Sequence, residues 1–468
     1  MALPEIIEIV PLGGPVRAEI TVPGSKSITN RALILAALGE GETTLLGALW
    51  SEDTQVMVEC LQDLGFMVNV EADPVELCNR TITVYGKGGA VPRGGTEGQP
   101  VELFVGNAGT AARFLTAFVC LGQGIYRLRG TTRMHERPQG ALFGALRELG
   151  YRVDSPNDRL PALIYGGGFR EGRCRVSITE SSQFASALVL CAGKGGWQVE
   201  IDGEKGDEAA YVTMTSKLAA EFPKAGGPFH IEPDASSGSY FIAANQLLPP
   251  FEYLEYSEQF GVEVPTTEWR TVRVANWPES GWQIDEGFPR VLRRLESFVE
   301  PEKWADVWAP GELRDPMKGL TSPIISRKKD LGDSIMTAIV LAPFAKVPCR
   351  FTDLGRLRLQ ECERVAALRS ELTRCGAKVV EAGDTLTVYP SELHGAEIET
   401  YNDHRMAMCF TIPGLKVPGI KLKNPSCVKK TFPDFFQKLA AAAPAGLGAK
   451  ILDGRSGREL SGEELFAE

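Results

Sequence analysis

The sequence predicts an α/β protein of two domains, each built from a repeated α-plus-β unit. Three observations carry this. The chain has 468 residues, too many for one compact core. A short pattern recurs in both halves: Leu61-Gln62-Asp63-Leu64-Gly65-Phe66-Met67-Val68, Leu146-Arg147-Glu148-Leu149-Gly150-Tyr151-Arg152-Val153 and Leu372-Thr373-Arg374-Cys375-Gly376-Ala377-Lys378-Val379, with a shorter echo at Gln259-Phe260-Gly261-Val262-Glu263-Val264. Each copy reads as a helix end, a left-handed glycine and a strand. Strand-like and helix-like runs also alternate along the chain, as spaced copies of one supersecondary unit would. The same tetrad is ordinary helix-to-strand punctuation in any α/β chain, so the repeat is an expectation to be tested against the fold.

Taken in order, Ile6 to Val10 reads as a strand, and a Pro23-Gly24 turn ends a second extended stretch. A helix then runs to Leu38 and stops at Gly39, read as a C′ glycine. Further strands fall at Thr81 to Tyr85, Arg175 to Ile178, Gln198 to Ile201 and Thr385 to Tyr389. Helices fall at Ala111 to Cys120, Phe184 to Ala192, Ser239 to Leu247, Ile335 to Phe344 and Glu361 to Arg374. Glycine-rich loops lie at Gly86 to Gly98 and Gly166 to Gly172. Residues 265–330 are the least legible, with tryptophans, prolines and weak periodicity. The tail after Pro444 is small, polar and charged, and is expected to be partly ordered at best, with no assigned role.

Composition is that of a soluble globular protein, with 43% hydrophobic and 24% charged residues. A net charge of −10 opposes nucleic acid and anionic membranes, so any anion site must be local. No run approaches a membrane span, and the start lacks the pattern of a signal peptide. The ten scattered cysteines, with no C-x-x-C pair, suit reduced thiols in the cytoplasm better than disulfides or zinc.

The chemistry points to helix N-termini. Lys26, Ser27 and, one turn on, Arg31 sit at the start of the first helix, where unpaired N–H groups and partial positive charge attract anions. Four other junctions repeat the design: Gly106-Asn107-Ala108-Gly109-Thr110, Ser181-Ser182-Gln183, Asp333-Ser334 and Asn402-Asp403-His404-Arg405. Each alone is also a plain cap; Asp333 reads equally as an N-cap, and Ser181 or Ser182 as a cap or a phosphate ligand. Together with Lys26, Arg31, Arg133 and Arg405 they suggest helix ends converging on an anionic ligand. Basic clusters at Thr132-Arg133-Met134-His135-Glu136-Arg137, Arg358 to Arg364 and Val428-Lys429-Lys430 fit, although Arg137 and Lys429 read as solvated surface charges.

In this order the motifs G-S-K-S-x-x-N-R-A, G-N-A-G-T-A, R-M-x-E-R-P, S-S-Q-F, D-A-S-S, Y-N-D-H-R-M-A-M and K-K-T-F-P-D-F, from about Ile20 to Phe436, resemble the enolpyruvyl transferase family, in its branch acting on shikimate 3-phosphate. The resemblance implies two domains, each of three β-α-β-α-β-β units, with the active site in the cleft between them. It implies an N-terminal domain over residues 23–240 on the shikimate phosphate side, and a C-terminal domain of residues 1–22 with 241–440, leaving 441–468 as a tail. The implied reaction moves the enolpyruvyl group of phosphoenolpyruvate onto the 5-hydroxyl of shikimate 3-phosphate through a tetrahedral intermediate, in a cytoplasmic monomer, with no metal or organic cofactor. Two charged anions sharing one pocket need lysines and arginines to offset their repulsion, and the proton movements need acid–base groups.

Residue by residue, the resemblance implies that Lys26 contacts both substrates and acts in proton transfer. Ser27 and Arg31 would hold the shikimate carboxylate and ring, Ser181 and Ser182 its phosphate, with Tyr211 lining that side. Gln183 would reach both substrates. Gly109, Arg133, Arg364, Arg405 and Lys430 would bind phosphoenolpyruvate. Asp333, which also faces shikimate phosphate, and Glu361 would be the proton-transfer carboxylates, their acid and base roles left open. Gln360 stands where a lysine is usual, Arg356 where an asparagine is common, and Phe114 follows Arg113 where many bacterial members have proline. These departures bear on shikimate phosphate contacts and on glyphosate-like competitors. A rival within enzymes is the transferase acting on UDP-linked N-acetylglucosamine, but Arg133-Met134-His135-Glu136 lacks that family's reactive cysteine. A rival of another class is a catalytically silent anion-binding protein, against which the retained Lys26, Asp333, Glu361 and Arg405 argue.

Overall fold

Gly65, Gly150 and Gly376 all adopt the left-handed conformation, with φ of 89°, 83° and 95°. The hydrogen bonds around them are the same. Phe66 N donates to Leu61 O, Tyr151 N to Leu146 O and Ala377 N to Leu372 O, at 2.9–3.0 Å. Gly65 N, Gly150 N and Gly376 N donate to Gln62 O, Arg147 O and Thr373 O at 2.9–3.0 Å. This is the Schellman pairing, flanked in each case by two buried apolar residues. The echo at Gln259 to Val264 lies outside the described residues. The computed structural model describes residues 3–74, 76–202, 209–248, 271–296 and 322–467.

Among the described residues the strands form six sheets. Four of these are four-stranded and share one scheme: an edge strand pairs parallel with its neighbour, and the next two pairings are antiparallel. Their orders are Gly227–His230, Glu40–Leu49, Asn79–Lys87, Val68–Ala72; then Val101–Phe104, Gln123–Arg129, Ala162–Gly167, Arg152–Asp154. The other two run Ile324–Ser326, Cys349–Thr352, Thr385–Val388, Val379–Ala382 and Glu397–Ile398, Ile420–Lys423, Ile6–Ile9, Ile451–Asp453. Two further sheets show a parallel pair among the described residues, Gly172–Ser177 with Trp197–Asp202 and Ala18–Ile20 with Val272–Val274. The recurring tetrad is therefore the joint of a recurring unit, since each left-handed glycine turns a helix into the far antiparallel edge of one of these sheets.

Contacts divide the chain into two units: Pro23–Asp234 with Pro278–Gln283, and Met1–Val22 with Ala235–Trp277 and Ile284–Glu468. Each has its own apolar core and three of the six sheets. The second crossing falls before Ala235 rather than at 240 because Ala235–Leu247 is one continuous helix. Asn245 near its end bonds both N–H and C=O of Val272 at 2.8 and 2.7 Å. Residues 278–283 return to the first unit, where Trp282 stacks on Phe229 and Gln283 Nε2 bonds Pro233 O at 2.8 Å.

Two expectations are corrected. The first helix, Lys26–Leu38, ends as read, but Gly39 is extended (φ −68°, ψ 178°) rather than left-handed. The chain leads straight from the helix into the Glu40–Leu49 strand, so no reversal is needed there. The tail is folded: Ile451–Asp453 pairs antiparallel with Ile6–Ile9, and Leu460, Leu465 and Ala467 are buried. Its few apolar residues follow no helical or strand period, which is why sequence patterning missed it. No described helix is long and apolar enough to cross a membrane, and all ten cysteines are free thiols.

Gly150 tests the joint cleanly, since a Cβ there meets only Arg170 Nη1, at 3.4 Å. Gly150→Ala is expected to cost about 1 kcal/mol through its left-handed backbone alone, read as a lower midpoint in urea with unchanged slope.

Candidate active site

In the unit containing residues 284–468, the site is built around a dry ion pair. Arg364 opens the Arg364–Arg374 helix and is 1% exposed; Asp403 is the N-cap of His404–Gly414 and is fully buried. Arg364 donates Nε and Nη2 to the two oxygens of Asp403 at 2.7 and 3.1 Å, the bidentate geometry that suits guanidinium to carboxylate. Asp403 also accepts from Arg405 N at 2.9 Å, capping the helix. Tyr401 and Asn402, just before it, are both left-handed (φ 55° and 52°), a costly backbone that aims the Asp403 carboxylate at Arg364. Tyr401 is held by donating its hydroxyl to the buried Glu371 at 2.8 Å.

From this pair the remaining charges radiate. Arg364 Nη2 reaches Glu361 Oε2 at 2.8 Å, and Lys430 Nζ holds Glu361 Oε1 at 2.9 Å. Arg405 Nε sits 3.1 Å from Asp333 Oδ2. Around Asp333 Oδ1 lie Gln360 Nε2 at 3.4 Å, Arg327 Nη2 at 3.6 Å and Arg364 Nη1 at 3.8 Å. The Gln360 amide oxygen in turn accepts from Arg364. Asp333 is not a cap: Ser334 is the N-cap of the Ile335–Leu341 helix and makes no side-chain cap bond. The segment is set instead by Asp285, whose carboxylate accepts from Gly332 N and Ser334 Oγ at 2.6 Å and from Ser236 Oγ at 2.5 Å.

The electrostatics follow from these distances. Burial pushes Asp333 upward, but Arg405, Arg364 and Arg327 outweigh it and hold the carboxyl well below its usual range. Burial lowers Arg364, and Asp403, Glu361 and Asp333 more than restore its charge. Asp285 moves the other way, raised by burial. Chemically, the cluster offers two partly exposed carboxylates, Asp333 and Glu361, interleaved with cations that an incoming anion could claim.

The unit formed by residues 23–234 carries the other set. Lys26 Nζ pairs with Asp53 at 3.0 Å. Arg31 is 3% exposed, with Nε on Thr215 Oγ1 (2.7 Å), Nη1 on Ser27 O (2.8 Å) and Nη2 on Ser186 Oγ (3.2 Å). The Phe114 ring lies 5.2 Å from its guanidinium carbon, and the Tyr211 carbonyl lies 3.5 Å from Nη2. Burial lowers Arg31 to about 10, which still leaves it charged at neutral pH. Ser181 caps the Ser182–Gly195 helix by accepting from Gln183 N at 3.2 Å. Gln183 Nε2 bonds Thr110 Oγ1 at 3.2 Å, which joins that helix start to the Gly109–Phe118 helix. Gln183 Oε1 is buried without a hydrogen-bond partner among the described residues.

The structure thus brings Asp333, Glu361, Arg364, Arg405 and Lys430 together in one unit, and Ser27, Arg31 and Tyr211 together in the other, where Gln183 meets the glycine loop. Arg133 lies in the short Thr132–Glu136 helix, where it pairs with Glu136 at 2.7 Å. The reading of Arg137 as a solvated charge is corrected, since Arg137 is 8% exposed; Lys429 is exposed as read. Sequence reasoning missed Asp53, Arg327 and Asp285 and gave Asp403 no role beyond a junction. A lone Asp or Arg within an apolar or polar run carries no sequence signal of the residue it will face.

Because folded Asp333 titrates below its unfolded value, its ionised form adds stability above the unfolded pKa of about 4. That contribution is lost as pH falls from there toward the folded value. Asp333→Asn is therefore expected to cost about 2 kcal/mol at pH 7, with the gap to the parent starting to narrow only as pH falls below about 4, read from denaturant melts at matched pH.

Comparisons with known proteins agree on one family. The model of EPSP synthase (3-phosphoshikimate 1-carboxyvinyltransferase) matches residues 10–222 and 260–439. A relative in Trichormus variabilis named 3-phosphoshikimate 1-carboxyvinyltransferase is 36% identical over 457 residues, covering 93% of this chain and 98% of its own. One of the same name in Opitutus terrae is 35% identical, covering 94% and 98%. In fold, the chain is similar to an EPSP synthase structure from Acinetobacter baumannii (TM-score 0.69, 20% identity, 95% and 99% covered). It is also similar to the enolpyruvyl transferase NikO from Streptomyces tendae (TM-score 0.62, 16% identity, 96% and 99% covered). With a family model spanning most of its length, and relatives this similar along nearly all of theirs, the chain belongs to the EPSP synthase family.

Proposed function

We propose that this chain transfers the enolpyruvyl group of phosphoenolpyruvate to the 5-hydroxyl of shikimate 3-phosphate and releases phosphate, by addition and elimination through a tetrahedral intermediate. The observation that carries the mechanism is the interleaving of Asp333 and Glu361 with Arg364, Arg405 and Lys430. In the addition step the 5-oxygen bonds to C2 of the enol, C3 takes a proton and the hydroxyl loses one. In the elimination step C3 returns its proton, the C2–O bond to phosphate breaks and the enol ether re-forms. Both steps need a proton donor and acceptor beside concentrated positive charge.

Phosphoenolpyruvate is a dense anion, and it competes with the carboxylates for their cations. Seated on Arg364, Arg405 and Lys430, it draws positive charge away from Asp333 and Glu361. Each carboxylate then becomes a better proton acceptor at the moment substrate is present. Lys26 contacts both substrates and takes part in proton transfer, and Gln183 reaches both. Ser181 and Ser182 take the shikimate phosphate, while Ser27 and Arg31 hold the carboxylate and ring beside Tyr211. Arg31 has no carboxylate partner among the described residues, so its charge is available to an anionic ligand. Gly109 and Arg133 complete the phosphoenolpyruvate set, and Asp333 also faces shikimate phosphate. On this reading the enzyme is a cytoplasmic monomer that uses neither metal nor organic cofactor.

Phosphate release from phosphoenolpyruvate tests the reading directly. Release is expected with shikimate 3-phosphate and not with UDP-N-acetylglucosamine. Release with the UDP-sugar alone would overturn the substrate, and release with neither, from folded protein, would favour a silent anion-binding protein. Asp333→Ala is expected to lower turnover at least a hundredfold, the scale of a lost proton-transfer group (about 10²–10⁴), while the folded state persists.

A further inference from the structure

A buried guanidinium in the glycine-loop region has no anion to answer it. Arg137 is 8% exposed. Among the described residues its hydrogen-bond acceptor is the Asn107 carbonyl, 3.3 Å from Nη1, and no carboxylate lies within ion-pair distance. The nearby Glu136 is committed to Arg133. Buried cations are normally paired, because taking an unpaired charge from water is costly.

Its neighbourhood adds positive rather than negative potential. The guanidinium lies against Gly109, the first residue of the Gly109–Phe118 helix: a Cβ at 109 would stand 2.6 Å from Arg137 Nη2 and 2.9 Å from Cζ. A helix N-terminus is itself electropositive and leaves its first N–H groups without partners. The same helix start is touched by Gln183, whose Nε2 donates to Thr110 Oγ1. Two positive features in contact, one of them largely dry, make a receptor for an anion that the described chain does not supply.

We infer that Arg137 is a further phosphate-binding residue for phosphoenolpyruvate, acting beside Gly109, and that position 109 is glycine because any side chain there would displace its guanidinium. This rests on the proposed reaction for the identity of the anion.

The test is the Michaelis constant for each substrate, together with calorimetric binding of phosphoenolpyruvate at saturating shikimate 3-phosphate. Arg137→Gln is expected to weaken phosphoenolpyruvate about tenfold or more, the scale of a charged hydrogen bond, with shikimate 3-phosphate within about threefold. Arg137→Lys, which keeps the charge, is expected to recover most of the loss. A purely structural role would make Gln and Lys equally harmful, or would weaken both substrates alike, and either result overturns the inference. Gly109→Ala combined with Arg137→Gln should bind phosphoenolpyruvate no worse than Arg137→Gln alone, since both remove one contact; additive losses would overturn the role given to Gly109. If Arg137→Gln fails to fold by circular dichroism, Arg137→Lys and Gly109→Ala still decide: unchanged phosphoenolpyruvate binding in Gly109→Ala overturns it. A parent that binds phosphoenolpyruvate but turns over nothing fails the reaction, and leaves Arg137 to be judged on binding.

Discussion

The cluster of carboxylates and cations around Asp333 and Glu361 depends on the Arg364–Asp403 pair. Both partners are essentially dry, and removing one partner of such a pair costs about 3–5 kcal/mol because the other is left charged and unsolvated. The pair therefore fixes the start of the Arg364–Arg374 helix against the start of the His404–Gly414 helix. Much of the cluster is then oriented by one partner or the other. Arg364 orients Glu361 and Gln360, and the helix that Asp403 caps delivers Arg405 to Asp333. The strained backbone at Tyr401 and Asn402 persists because the pair and the Glu371 bond over-determine it.

The two units treat charge differently. In the unit with Asp333, the two partly exposed carboxylates of the cluster, Asp333 and Glu361, each have cations within about 4 Å. In the other unit, Arg31 and Arg137 are buried without a carboxylate among the described residues, and Lys26 has one, Asp53. A chain of net charge −10 thus keeps two buried arginines without carboxylate partners among the described residues of the unit proposed to take shikimate phosphate. The balanced set is suited to moving protons and the unbalanced set to holding anions. A matched cluster can trade partners without exposing a bare charge, whereas an unmatched cation gains most when an anion arrives.

Much of the architecture was legible because it is written in local rules. A left-handed glycine after a helix needs no tertiary context, so Gly65, Gly150 and Gly376 announced the repeat. The helix starts at Lys26, Ser182 and His404 were legible for a similar reason, since caps and breakers are short-range signals. What failed were readings that depend on distant partners. Gly39 looked like a left-handed cap, but the direction of the next strand decided otherwise. The tail looked unstructured because its order comes from pairing with Ile6–Ile9, more than 400 residues away in sequence. Arg137 looked like surface because burial of an arginine is set by the Gly109 loop, which no neighbour in sequence reveals. The candidate residues themselves came from motif order, while Asp285 and Arg327 lie outside the motifs.

The departures at Gln360 and Phe114 are absorbed by the same physical logic. Gln360 brings no charge, but it bridges Asp333 and Arg364, and Arg327 supplies a cation to the same Asp333 oxygen. The carboxylate is therefore held low by arginines without a lysine at 360. A lysine there would add a fourth cation to a carboxylate that already has three and would leave the Arg364 guanidinium without its amide acceptor. Phe114 lies inside the Gly109–Phe118 helix and is fully buried. A proline at that place would remove an N–H from the helix interior and press its ring on the preceding turn, whereas phenylalanine leaves the ladder intact and lends its ring face to Arg31. The residue behind the glycine loop thus also supports Arg31. A change at 114 bears on both Gly109 and Arg31, because one helix carries Gly109 at its start and the ring that lies against Arg31 on its flank.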